Sequence, residues 1–114
     1  MENKTFLYRD IALNYFKLFS NKDIDGLRGM FHKNVTLRDW DIYSEGIDSV
    51  IETIKNIFKN VDSLIIYPNM LSEGKKTIFA EIDIKINNKI ILKVVDILEF
   101  NDEGKIIAIR AFKG

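Results

Sequence analysis

The chain has 114 residues and no cysteine, which predicts one domain spanning 1–114 and excludes disulfides, thiolate metal sites and cysteine nucleophiles. Its 17 basic residues balance its 17 acidic ones, so no net field draws it to nucleic acid or to an anionic membrane. Hydrophobic content of 46% beside 30% charge suits a globular chain. Met1–Thr5 carries no apolar leader and no run approaches ~18 apolar residues, so a cytoplasmic location is expected.

From Lys4 to Ser20, Leu7, Ile11, Tyr15, Leu18 and Phe19 recur at helical spacing, with Arg9, Asp10, Asn14 and Lys17 opposite. Asn21-Lys22-Asp23 breaks this helix, and Asp23 is placed to cap a short second one running through Leu27, Met30 and Phe31. Val35-Thr36-Leu37-Arg38-Asp39 alternates and predicts a strand. Tyr43–Gly46 is a turn or short strand, followed by a third helix from Ile47 to Asn60 with Val50, Ile51, Ile54, Ile57 and Phe58 as its stripe. Strands are predicted for Leu64–Leu71, Thr77–Ile86, Ile90–Phe100 and Ile106–Phe112. Pro68 marks the first of these as an edge or a bulge, and Asn87-Asn88 marks a tight hairpin. Three early helices followed by consecutive strands predict an α+β domain, with a mostly antiparallel sheet curved around the helices.

The strand from Ile90 to Phe100 is the most informative. At a period of two, one face reads Ile90, Leu92, Val94, Asp96, Leu98, Phe100, a single carboxylic acid in an apolar row. An ionised carboxylate buried without a partner is costly, so such a group is hydrogen-bonded, paired or protonated at neutral pH. A protonated acid in an apolar pocket can donate to a developing oxyanion. Tyr15 shares a helical face with Ile11 and Phe19, and Asp39 shares strand parity with Val35 and Leu37. All three polar groups are therefore aimed at the apolar side of their own elements, the composition of a small-molecule pocket.

The element order and the strings Tyr15-Phe16, Asp23-Ile24-Asp25-Gly26-Leu27, Met30-Phe31, Val35-Thr36-Leu37-Arg38-Asp39, Gly46, Val95 through Ile106 and Arg110-Ala111-Phe112 resemble the nuclear transport factor 2-like superfamily. The resemblance is to its SnoaL-like and ketosteroid isomerase-like members, and it covers nearly the whole chain. It implies a cone-shaped, barrel-like fold. It also implies an oxyanion hole from a tyrosine on the first helix and a protonated aspartate on a late strand, with a second aspartate moving a proton. Those three positions fall on Tyr15, Asp96 and Asp39. No cofactor or metal is implied. An apolar small-molecule ligand and a homodimer joined through the outer sheet face are. Trp40 stands where the isomerases carry proline, and Asp41 adds a carboxylate beside it, so Trp40 is placed either to contact ligand or to pack.

Two classes of function fit. One is a small-molecule-binding domain with isomerase-like proton transfer next to a carbonyl. The other is a non-catalytic ligand-binding or protein-interaction module on the same scaffold. Each site residue also has a structural alternative. Asp96 can bond a helix terminus or backbone amide, Tyr15 can be a core tyrosine with a satisfied hydroxyl, and Asp39 can cap a turn. His32, the one histidine, is expected as a solvated residue at the end of the second helix. No G-x-G-x-x-G, P-loop, G-x-S-x-G or H-E-x-x-H string occurs.

Overall fold

A computed structural model describes residues 7–114; the expected helical residues Lys4–Phe6 lie outside the described residues. The first helix, α1, covers Tyr8–Ser20 and buries Ala12, Tyr15 and Phe16, while Leu7, expected on the same stripe, precedes the helix and is 63% exposed. Ser20 Oγ donates to Phe16 O at 2.9 Å and accepts from Ile66 N at 2.9 Å, so the helix end is fastened to the sheet. Helix α2, Ile24–Met30, begins as expected with Asp23 Oδ1 accepting from Gly26 N at 2.9 Å.

The end of α2 departs from expectation. Phe31 and His32 do not continue the helix; they open strand β1, Phe31–Arg38. Phe31 adopts φ −96° and ψ 141° and buries its ring 6.3 Å from that of Tyr15. The spacing of Leu27, Met30 and Phe31 imitates a helical stripe, but Phe31 is extended and packs beside Tyr15. His32 is thus a half-buried strand residue whose Nδ1 accepts from Asn34 N at 3.0 Å.

Strand β2, Tyr43–Glu45, pairs antiparallel with β1, and Gly46, at φ +88°, turns the chain into helix α3, Ile47–Lys59. α3 buries Val50, Ile51, Ile54 and Phe58. Lys22 Nζ donates to the carbonyls of Phe58, Val61 and Asp62 at 3.1, 2.8 and 3.3 Å, closing the C-terminal end of α3 with a positive charge.

Four long strands follow: β3 (Leu64–Gly74), β4 (Thr77–Ile86), β5 (Ile90–Phe100) and β6 (Ile106–Lys113). They join β1 and β2 in one open sheet of order β2-β1-β6-β5-β4-β3. All neighbours are antiparallel except β1 and β6, which run parallel. Pro68 lies on the edge strand β3 at a register shift between Pro68 and Met70, where a missing N–H costs no ladder bond. Asn87 and Asn88, at φ 54° and 60°, make the β4–β5 turn.

Alternation then sorts the sheet into two faces. Ile78, Ala80, Ile82, Val94, Asp96, Leu98, Ile109 and Leu37 are buried on the inner face, against the helices. The outer face carries Phe79, Glu81, Val95 and Phe112, with the Glu99–Arg110 and Asp83–Lys93 ion pairs. Among the described residues no helix is long and apolar enough to cross a membrane.

Candidate active site

The inner face and the helices do not close completely. They leave a cavity of about 210 Å³. Tyr15 and Phe19 of α1 and Ile57 of α3 form one side. The other comes from β3, β4, β5 and β6, including Ile66, Ile84, Val94, Asp96 and Ala111. Leu37 near the end of β1 and the following Asp39, Trp40 and Ile42 complete the wall. Tyr15, Asp39, Asp96 and Trp40, singled out in the sequence from separate elements, therefore line one cavity. Apart from the two aspartates and the tyrosine hydroxyl, the lining is almost wholly apolar.

Each polar group is fixed differently. Tyr15 is held in an aromatic cluster, its ring 5.5 Å from Phe16 and 5.7 Å, edge-on, from Phe19. Asp96 sits in the middle of β5, opposite Ala80 on one side and Ala111 on the other. Of these two small neighbours, Ala111 lines the cavity beside Asp96. Asp39 ends β1 in a pinned turn: its N–H donates to Ile42 O at 2.9 Å, and its Oδ1 accepts from Asp41 N and Ile42 N, both at 2.7 Å. The turn-capping role foreseen for Asp39 is present, and it uses one oxygen of the two.

No described residue hydrogen-bonds the Asp96 carboxyl or the Tyr15 hydroxyl, and Tyr15 packs in the buried core with Phe16. Every fully enclosed side-chain oxygen and nitrogen among those residues does have a partner. The two unpartnered groups are accordingly open to the cavity rather than sealed in the core.

Electrostatics follow from this placement. Burial, and secondarily the negative charge of Asp39, push the Asp96 carboxyl up to about 7. Burial, and secondarily the charge of Asp96, raise the Tyr15 phenol well above its ordinary value. Near neutral pH the cavity thus presents a phenol that keeps its proton and a carboxyl that holds its proton far more tightly than an ordinary aspartate. Two acids within interaction range, one driven toward neutrality and one tied to backbone amides, divide naturally into donor and acceptor.

Three helices on the inner face of an open six-stranded sheet, with a cavity between them, make up the nuclear transport factor 2-like fold. A SnoaL-like protein from Shewanella denitrificans, named as a candidate polyketide cyclase, superposes with a TM-score of 0.85 at 13% identity, over 96% of this chain and 92% of that one. SalBIII, an epoxide hydrolase/cyclase-like enzyme with a role in pyran ring formation in the polyether salinomycin, superposes with a TM-score of 0.82 at 24% identity, over 94% and 90%. A candidate ketosteroid isomerase from Kribbella flavida gives 0.82 at 14%, over 94% and 77%. The sequence matches no protein-family model and no curated protein.

Much of the wall is not legible in the sequence. Periodicity places Phe19 and Ile57 on helix stripes without distinguishing cavity from core, and Ile84 and Ile86 on a strand. Ile84, Ile86 and Leu92 are half-buried while their row-mates Ile82 and Val94 are buried. Apolarity gives the face of a strand, not the point along it where packing stops.

Proposed function

We propose that the chain binds a small carbonyl compound in this cavity and moves a proton beside the carbonyl. Asp39 takes the proton from the carbon next to the carbonyl, the C–H electron pair forms the enolate double bond, and negative charge gathers on oxygen. Tyr15 and protonated Asp96 donate hydrogen bonds to that oxygen, and Asp39 returns the proton to another carbon. The observation that carries this reading is the meeting of Tyr15, Asp39 and Asp96 at one otherwise apolar cavity.

A phenolate resembles the enolate in charge and shape, so phenols serve as probes. They are expected to raise the melting temperature. Tyr15→Phe is expected to weaken their binding by about 10–100-fold, the worth of one hydrogen bond to a charged oxygen. Isomerisation of unsaturated ketones is expected to decline as pH rises through about 7, where Asp96 loses its donor proton. Phenols that never protect the protein, together with no isomerisation of any unsaturated ketone, would leave the non-catalytic module as the better reading. One observation already favours that alternative: Asp39 Oδ1 is spent on the turn.

We further propose a homodimer joined through the outer sheet face, where Phe79, Val95 and Phe112 are exposed beside ion-paired neighbours. Sedimentation at micromolar concentration is expected to give twice the chain mass, and Phe112→Glu to give the single mass. A monomer for the unmodified protein removes the idea.

A further inference from the structure

The cavity's volume sets the size of what it can hold, and Trp40 is the lining residue that also faces solvent most openly among its aromatic members. A cavity of about 150 Å³ lined by Leu, Ile and Phe takes up one benzene molecule. On that scale the 210 Å³ here holds about eight or nine non-hydrogen atoms, a single ring with a short substituent. Trp40 lines this space and is also 39% exposed, so its indole stands between cavity and solvent. Two features hold it there. Its backbone belongs to the turn pinned by Asp39 and Ile42. Its ring lies under the Lys113 ammonium, 5.3 Å from the centroid, at the end of β6.

We infer that Trp40 is the specificity-determining residue of the cavity, limiting it to single-ring carbonyl compounds and excluding fused multi-ring ones. This rests on the proposed proton-transfer pocket and adds the size class of its ligand. With the indole held by its turn and by Lys113, a second fused ring finds room only by displacing Trp40.

Binding of para-cresol, naphthol and estradiol, measured by calorimetry, separates the possibilities. The unmodified protein is expected to bind para-cresol at least about ten-fold more tightly than naphthol, the cost of forcing excess volume into a packed site, and not to bind estradiol measurably. Trp40→Ala is expected to bring naphthol level with para-cresol or beyond, and Trp40→Phe to fall between. Because Trp40 is the chain's only tryptophan, its fluorescence should respond to para-cresol in the unmodified protein. Estradiol binding as tightly as para-cresol, or a naphthol-to-cresol ratio unmoved in both variants, overturns the size inference and leaves the pocket standing. If no phenol binds the unmodified protein, the pocket reading falls and the inference with it. Should Trp40→Ala not fold, the panel on the unmodified protein and Trp40→Phe still decides.

Discussion

Asp39→Asn is expected to lower turnover of an unsaturated ketone by on the order of 10²–10⁴-fold while leaving the binding of phenols within a few-fold. The amide keeps an oxygen where Oδ1 now accepts from Asp41 N and Ile42 N, so the turn that carries Trp40 survives. What is lost is the basic oxygen. Phenol binding calls on the donors Tyr15 and Asp96 rather than on a base, and removing the Asp39 charge takes away one cause of the raised Asp96 carboxyl. Tyr15→Phe should produce the opposite division, a smaller loss of turnover, about 10²–10³-fold, with weakened phenol binding. Single-turnover kinetics beside phenol titrations measure both quantities. An Asp39→Asn protein that turns over normally would remove Asp39 from the chemistry and assign it to the turn alone.

The second large effect concerns stability against pH. With the Asp96 carboxyl raised to about 7 by burial and by Asp39, the folded chain holds this proton more tightly than the unfolded chain does. The unfolded group ionises near the ordinary aspartate value of about 3.9, so between there and about 7 the folded state binds more protons and stability falls as pH rises. The contribution is complete below the unfolded value and lost above the folded one. Its full size is on the order of 4 kcal/mol for a shift of this magnitude. Asp96→Asn has the shape of the protonated acid and cannot ionise. It is expected to flatten that slope and to be the more stable protein at pH 8. Urea unfolding of both proteins at pH 5 and pH 8 measures the difference. Parallel profiles would mean that Asp96 is charged and compensated in the folded state.

Much of the sheet was legible because alternation is a local signal. Thr77–Ile86 and Ile90–Phe100 occupy the bounds their patterns predicted, and Pro68 and Asn87-Asn88 do what their backbone preferences require. The failure at Phe31 and His32 is of another kind. Leu27 and Met30 are helical as their spacing suggests, but Phe31, which continues that spacing, opens a strand and packs its ring near Tyr15, sixteen residues away in sequence. The parallel pairing of β1 with β6 was likewise invisible, since nothing within either strand encodes its partner. For the site, periodicity gave the side to which Tyr15, Asp39 and Asp96 turn. It gave neither their meeting at one cavity nor its size, which depend on how α1, α3, the loop after β1 and strands β3 to β6 pack around it.

The position of β6 also bears on how the sheet is assembled. It lies between β1 and β5, so it is the strand that joins β1 and β2 to the meander of β3, β4 and β5. Without its pairing those two groups share no ladder, and each presents a bare edge. Asp39 follows β1 in one group and Asp96 lies on β5 in the other. The two acids are therefore brought together through β6, by pairings distant in sequence, which form slowly. The electrostatic cost of setting Asp39 beside Asp96 is incurred in the same step that closes the sheet.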